Sequence, residues 1–293
     1  MIKLKAKAKV NLFLEVTRRR PDGYHELATL FARVGVADEL SFAKTRAEGI
    51  SLKVSGGPRS LGRPEDNIVH KAAVKFFETF RMKPAVEIRL KKNIPVGAGL
   101  GGGSADGAAA LLGLAKLYRV PRSRFPALMR IAAAIGSDVP FFMLDAVLAE
   151  GRGRGEKLKV LKAGGRLPWT VLVYPGEPVY TKEVYGNLRV APAGEIRERL
   201  RDFGDLCGLI KKGSFSPGKS GKLFNRLEDP VLPRHKAVRL ARERLAGLGA
   251  DAVLMSGSGA TVFGLYRGRA AAARAAAALK RNRSYRVFLT NFC

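Results

Sequence analysis

From Lys3 to Val16 apolar and polar residues alternate with a period of two, which predicts a β-strand. Ala8, Val10, Leu12 and Leu14 fall on one face and Lys7, Lys9, Asn11 and Phe13 on the other, so Lys9 and Asn11 point the same way. The strand runs into RRRPDGYHEL, where Pro21 presets φ, Asp22 closes a local turn and Gly23 accepts a positive φ. Tyr24 and His25 are presented on the far side of that turn. A second strand pair is expected over Leu40 to Val54, and GGPRSLGRPEDN after it reads as loop.

Past that loop the period changes to that of a helix. IVHKAAVKFFETF carries apolar residues at helical spacing, with Asp66 and Asn67 as N-cap candidates. AVEIRL, Ala85 to Leu90, reads as a strand; an alanine-rich helical pattern begins at Ser104 and runs to about Tyr118; FPALMRIAAAI is a further helix that stops at Gly136. Gly107 inside the alanine-rich helix costs roughly 1 kcal/mol relative to alanine, which points to close packing against a neighbour. In SDVPFF, Asp138 precedes a proline turn. VLAEGRGRGE, Val147 to Glu156, is glycine-rich and charged, and the domain boundary is placed there, giving domains 1–155 and 156–293. Beyond it WTVLVYP is a strand, Thr181 is a cap candidate for a short helix, GEIRERLRDF is a helix, and KKGSFSPGKSGK, Lys211 to Lys222, is a basic loop. A helix over Lys236 to Leu248 leads to DAVLMSGSGATVFGLY, two apolar strand-like runs joined by Ser256 to Ala260. A helix near Arg269 to Arg281 and the strand YRVFLTNF complete the chain, the last strand being a candidate to return to the first domain. Strands and helices alternating in this way predict an α+β second domain.

At 293 residues the chain has room for two domains with cores of their own. No run approaches the length of a membrane span, and lysine alternating with apolar residues in MIKLKAKAKVNLFLEV is unlike a signal peptide. A cytoplasmic protein with no membrane partner is expected. Cys207 and Cys293 lie far apart and His25, His70 and His235 are scattered, so neither a disulfide framework nor a protein-held metal is expected. The formal charge of +28 suggests a polyanion. Lysine and arginine are spread over the whole chain, however, without an RNP pattern, zinc-finger spacing or a single basic arm. A polyanionic small substrate, a basic proteome and non-specific RNA contact would each give this count.

One stretch narrows the choice. Ile94 to Leu114 reads IPVGAGLGGGSADGAAALLGL, with five glycines between Gly97 and Gly103 directly before the helix. Such a turn exposes backbone N–H groups with no Cβ in the way, and the helix N-terminus adds unpaired N–H groups and the positive end of a dipole. Phosphate is the expected guest. Gly97, Gly99 and Gly102 have dinucleotide-fingerprint spacing, but Lys91 to Pro95 separate them from the strand, and Arg122 and Arg124 stand where a ribose-binding acid belongs. No GK[ST] follows the glycines, and no HRD or DFG set is present. What remains is a nucleotide-phosphate loop of another kind.

AKVNLFLEVTRRRPDGYHEL, PVGAGLGGGSADGAAAL and LMSGSGATVFGLY together resemble the three motifs of the GHMP small-molecule kinases. The likeness extends through DNIVHKAA, GSDVPFF, AEGRGRGE and NRLEDPVLP, nearly the whole chain. The opening motif, with its RRPDGYHEL ending, is similar to that of the member whose acceptor is a cytidine diphosphate sugar alcohol. The resemblance implies a two-domain architecture, an N-terminal ATP-binding βαβ domain carrying the catalytic residues and a C-terminal ferredoxin-like α/β domain contributing to substrate binding. It implies transfer of the ATP γ-phosphoryl group to a hydroxyl, with Asp138 as catalytic base and Lys9 as its cationic partner. An aspartate can accept the hydroxyl proton while an ammonium stabilises the developing charge.

By the same resemblance Asn11 lies near the acceptor, and Tyr24, His25 and Tyr180 hold the cytidine part. Asn67 lies near the adenine and Lys92 near the phosphates. Pro95, Gly97, Gly99, Leu100, Gly101, Gly102, Gly103 and Ser104 form the ATP loop, and Gly257 and Gly259 the third motif. Taken singly, Asp138 reads as a turn-former beside Pro140, Lys9 as a solvated lysine, Asn67 as a helix cap and Tyr24 as a ring packed behind its turn. One departure from the pattern is that Ser104 is followed by Ala105 where the family commonly has two serines, so Ser104 alone offers a hydroxyl to Mg²⁺ or phosphate. Mg²⁺ is expected to be carried by ATP and to keep several waters. The protein is expected to be a monomer or weak homodimer with no specific nucleic-acid partner. The alternatives are another GHMP kinase, of homoserine or mevalonate type, and a non-catalytic RNA-binding protein on this fold.

Overall fold

The computed structural model describes residues 1–57 and 63–293; residues 58–62 of the expected GGPRSLGRPEDN loop lie outside them. Along the chain come β1 (Ile2–Arg19), β2 (His25–Lys44), β3 (Gly49–Gly56), α1 (Ile68–Phe80), β4 (Ala85–Lys92), α2 (Gly102–Leu117), α3 (Phe125–Ile135) and α4 (Val139–Met143). They are followed by β5 (Leu148–Gly153), β6 (Lys157–Leu161), β7 (Trp169–Tyr174), α5 (Thr181–Gly186), α6 (Ala193–Lys211), α7 (Pro217–Ser220), β8 (Phe224–Asn225) and α8 (Glu228–Val231). Then α9 (Lys236–Gly247), β9 (Ala252–Met255), β10 (Val262–Tyr266), α10 (Arg269–Lys280) and β11 (Arg286–Thr290) complete the α+β chain. Contacts divide it into two units, one of Met1–Ala8, Val36–Val96 and Gly101–Asp145, the other of Lys9–Gly35, Gly97–Leu100 and Ala146–Cys293. β1 and β2 each run from one unit into the other.

In the first unit β4 pairs antiparallel with β2, from Glu39↔Lys91 to Lys44↔Val86, and parallel with β3, from Gly49↔Ala85 to Gly56↔Lys92. Leu40 to Val54 therefore holds strands, as expected, but not a mutually paired hairpin. β4 lies between β2 and β3 because α1 carries the chain from β3 back to a parallel neighbour, which a two-strand meander cannot do. α1 ends where its sequence predicts: Asn67 caps it by accepting from Val69 N–H at 2.9 Å, and Arg81 closes it in the left-handed region. Asp66 lies instead in a short 3-10 turn, Pro64–Asp66. Val69, Ala72, Ala73, Phe76 and Phe77 form the buried face of α1, each large apolar side chain contributing about 1.5–3 kcal/mol.

α1 packs on α2, and a Cβ on Gly107 would stand 3.1 Å from Ile68 Cγ1, which accounts for that mid-helix glycine. α2 starts at Gly102, two residues earlier than the alanine pattern indicates; a Cβ on Gly102 would sit 2.9 Å from Ile94 Cγ2, so the first turn is glycine for room rather than for looseness. The expected proline turn after Asp138 is the short helix α4, with proline in its first turn where the missing N–H is no loss.

In the second unit, the segment expected at the domain boundary folds as strand and tight turn. β5 pairs antiparallel with β2, from Leu27↔Gly153 to Ala32↔Leu148, and turns into β6 with Gly153 at φ +70°. The other sheet has the order β11-β7-β10-β9, antiparallel throughout, with α9 and α10 packed on it. β11 thus pairs with β7, while beyond its end a Val34↔Phe292 bridge ties the last residues to β2. α6 runs through Gly204 and Gly208 to Lys211, well past GEIRERLRDF, and α7 occupies part of the expected basic loop. Thr181 is the first residue of α5, not its cap, and no side chain caps that helix. No helix among the described residues is long and apolar enough to cross a membrane.

Candidate active site

Alternation in β1 stops at Ala8. From there to Val16 every residue is buried, so the strand is covered on both faces and Lys9 is only 4% exposed. A buried ammonium needs compensation. In the second unit, Lys9 Nζ donates to Asn11 Oδ1 at 2.8 Å and lies 5.4 Å from the Phe31 ring centroid. Asn11 Nδ2 donates to Thr29 Oγ1 at 2.7 Å, and that hydroxyl donates to Phe13 O at 2.7 Å. Every rotamer in the series is thereby fixed, down to the ammonium.

Two glycine turns meet beside it. Lys9 N–H donates to Leu100 O at 2.9 Å, and Ser256 Oγ donates to Gly99 O at 2.9 Å. Thr261 N–H reaches Ala98 O at 3.1 Å and Val179 N–H reaches Gly97 O at 3.3 Å. A Cβ on Gly99 would collide with Ser256 O, and one on Gly257 would stand 3.1 Å from Gly99 O and 3.4 Å from both Lys9 Nζ and Asn11 Oδ1. Gly97, Gly99, Gly257 and Gly259 all have positive φ, a conformation only glycine takes freely. Ala98 and Leu100 are buried, while Gly97 is exposed and Gly99 partly so.

Elsewhere in this unit the Tyr24 ring is 54% exposed, with the Arg154 guanidinium 4.7 Å from its centroid. His25 stacks on Tyr185 with centroids 5.0 Å apart and planes at 28°. Burial, with Arg19 nearby, lowers the His25 pKa, so its imidazole is neutral at pH 7 and has one donor and one acceptor. Tyr180 is 61% exposed at the start of α5. The aromatic side chain that meets His25 is Tyr185, further along α5.

The first unit carries the rest. Pro95 is buried, Gly101 stands before α2 at φ +67°, Gly103 is exposed, and Gly102 and Gly103 fall inside the first helical turn. Lys92 Nζ, expected near phosphate, is held between Asp38 and Asp106, with the Asp106 Oδ2 contact at 2.6 Å. It is also 3.5 Å from where a Cβ of Gly102 would be, at the helix N-terminus. Asp38 Oδ1 accepts from Asn93 N–H and from Ile94 N–H at 2.8 Å, so one carboxylate fixes both the lysine and the entry to the loop. Asp106 is pushed up to about 7, chiefly by burial, with Lys92 lowering it and Asp38 raising it. Ser104 Oγ is 4.0 Å from where a Cβ of Gly136 would be, so the first turn of α2 lies beside Gly136, two residues before Asp138. Asp138 precedes α4 and makes no capping bond to it. Asn67 spends its Oδ1 on the cap of α1.

Sequence reasoning missed Asp38, Thr29, Asp106, Tyr185 and Asn225. An acid inside the alanine run of α2 is a signal for Asp106; for the others the chain offers none.

Residues 67–146 match the GHMP kinases N terminal domain and residues 194–284 the GHMP kinases C terminal domain. The chain belongs to the GHMP kinases, ATP-dependent kinases of small molecules. Among its relatives are 4-diphosphocytidyl-2-C-methyl-D-erythritol kinases. That of Syntrophus aciditrophicus is 38% identical over 288 residues, 98% of each chain. That of Moorella thermoacetica is 40% identical over 265 residues, 90% of each. A crystal structure of 4-(cytidine 5'-diphospho)-2C-methyl-D-erythritol kinase superposes with a TM-score of 0.79 at 36% identity, covering 99% of this chain and 98% of that one.

Proposed function

We propose that this chain transfers the γ-phosphoryl group of ATP to the 2-hydroxyl of 4-diphosphocytidyl-2-C-methyl-D-erythritol, a step of non-mevalonate isoprenoid precursor synthesis. The observation that carries phosphoryl transfer is a buried, oriented ammonium, Lys9 Nζ, beside a glycine turn with the backbone of a phosphate loop. Near full-length identity to kinases of that name supports the choice of acceptor.

In this reading Gly97 to Gly103 and the N-terminus of α2 receive the triphosphate through backbone N–H groups, with Lys92 as a fixed positive charge behind them. Asn67 and Pro95 lie on the ATP side. Asp138 accepts the acceptor hydroxyl proton, Lys9 stabilises charge on the attacking oxygen or the transferring phosphoryl group, and Asn11 orients the acceptor. Gly257 and Gly259, without side chains of their own, let the third turn approach the glycine loop or the ligand. Tyr24 offers an aromatic face to the cytosine, neutral His25 a hydrogen-bonding edge, and Tyr180 a second, exposed ring. Mg²⁺ travels with ATP and neutralises phosphate charge when bound. The residues fit that role through Ser104, which offers a hydroxyl in the first turn of α2. The enzyme acts on these two small molecules as a cytoplasmic monomer or weak homodimer, without a specific nucleic-acid or membrane partner.

Purified protein given ATP and Mg²⁺ is expected to phosphorylate the cytidine substrate and to leave homoserine and mevalonate unchanged. Turnover of either of those in place of the cytidine compound would overturn the choice of acceptor. Tight, salt-sensitive RNA binding with no phosphoryl transfer to any of the three would overturn the enzyme reading altogether.

A further inference from the structure

Asn225 is buried on the two-residue strand β8, and all of its hydrogen-bonding groups are engaged. Its Nδ2 donates to Met255 O and to Gly257 O, both at 2.8 Å, and its Oδ1 accepts from Leu227 N–H at 3.0 Å. The first two partners bracket Ser256, whose own carbonyl accepts from Gly259 N–H at 2.9 Å. One planar carboxamide therefore fixes the backbone of the third-motif turn at two points.

The other end of Asn225 is anchored to the strand that carries Lys9. β8 pairs parallel with β1 at Phe13↔Phe224 and Leu14↔Asn225, and Arg226 N–H donates to Leu14 O at 2.8 Å. Arg226 then grips buried Glu15 of the same strand with two bonds, Nε to Oε1 at 2.9 Å and Nη2 to Oε2 at 2.8 Å. So β1 holds Lys9 directly and, through β8 and Asn225, holds Gly257. The loop closes where Gly257 approaches Lys9 Nζ, Asn11 Oδ1 and Gly99 O.

We propose that Asn225 is a positioning residue for phosphoryl transfer: it sets the separation between the Ser256–Ala260 turn, the Lys9 ammonium and the Gly97–Leu100 loop. The proposal rests on the reading of Lys9 as a catalytic group. Asparagine is required at this position because it alone combines this length with two donors and one acceptor. Aspartate keeps the shape but sets an oxygen against two carbonyls; alanine leaves both carbonyls without a donor. A displaced turn lets the ammonium and the loop drift apart, and an offset of about 1 Å can cost on the order of 10²-fold in rate.

The test uses full-length Asn225→Ala, Asn225→Asp, Lys9→Ala and the double variant Lys9→Ala/Asn225→Ala, with kcat, KM for each substrate and folded fraction measured for each. At full folded population Asn225→Ala is expected to lower kcat roughly 10–100-fold with KM changed by less than about threefold. In the Lys9→Ala background it is expected to cost less than about threefold more, because the group it positions is gone. The kcat ratio of Asn225→Asp to wild type is expected to rise as pH falls, since a protonated carboxyl restores one of the two donors. This arm still reports if the alanine variant fails to fold. A loss that tracks folded fraction alone, or one that multiplies fully with Lys9→Ala, would overturn the proposal for Asn225. Near-normal turnover of Lys9→Ala would overturn the role of Lys9 and, with it, the proposal.

Discussion

Lys92 Nζ donates to Asp106 Oδ2 at 2.6 Å while a second buried carboxylate, Asp38, engages the same nitrogen. With one cation between two acids, Asp106 keeps its proton to about pH 7, and its Oδ1 has no hydrogen-bond partner among the described residues. Because the folded pKa lies above the unfolded value, the native state binds more protons than the unfolded chain across the interval between them. Stability from this group is therefore undiminished below about pH 4, falls as pH rises toward 7 and is level above it. Asp106→Asn keeps an acceptor for Lys92 and has no proton to lose. Urea midpoints from pH 4 to 8 are expected to show the variant gaining on wild type by up to about 1.4 kcal/mol per pH unit until pH 7. Parallel curves would contradict the assignment of that proton to Asp106.

Why this cluster escaped the sequence is a matter of distance along the chain. Asp38, Lys92 and Asp106 stand on β2, β4 and α2, and only the insertion of β4 beside β2 brings them together. Alternation identifies a strand without choosing its neighbour, so Leu40 to Val54 reads as a pair when its partner is in fact β4. Local signals fared better: α1 and α3 begin and end where their sequences predict, since Asn67 supplies a cap and Gly136 a stop. Lys9 is the intermediate case. Its face on β1 follows from period two, but its burial does not, because nothing local shows that both faces of the strand are covered from Ala8 onward.

Asp138 makes no capping bond to α4, and Gly136, two residues before it, lies by the first turn of α2. Asp138→Asn is expected to reduce kcat roughly 10²–10⁴-fold with ATP affinity little changed, the range for loss of a general base. Single-turnover rates with a separate measurement of nucleotide binding would check both halves. A near-normal rate would end the assignment of the base.

His25 and Tyr185 form one stacked unit, and this makes their substitutions comparable. His25→Ala is expected to raise KM for the cytidine substrate while leaving KM for ATP near wild type. Tyr185→Leu should do the same more weakly by removing the ring on which the imidazole stacks. Equal losses for both substrates would mean that the pair does not belong to the acceptor side.

Glycines buried in helices give opposite expectations from those on open surfaces, and two in this chain form a controlled contrast. At Gly113 in α2 an added Cβ would collide with the ring of Phe42, which is fully buried. At Gly204 in α6 nothing lies within 4 Å of the same position. Gly113→Ala is expected to destabilise by about 1–3 kcal/mol through overpacking, despite the better helix propensity of alanine. Gly204→Ala is expected to stabilise by about 0.5–1 kcal/mol, since only backbone entropy and propensity change. Chemical denaturation of the two variants beside wild type decides the matter, because sterics and propensity predict opposite signs only at Gly113. If Gly113→Ala were as stable as Gly204→Ala, the packing of α2 against Phe42 would have to be looser than the structure has it.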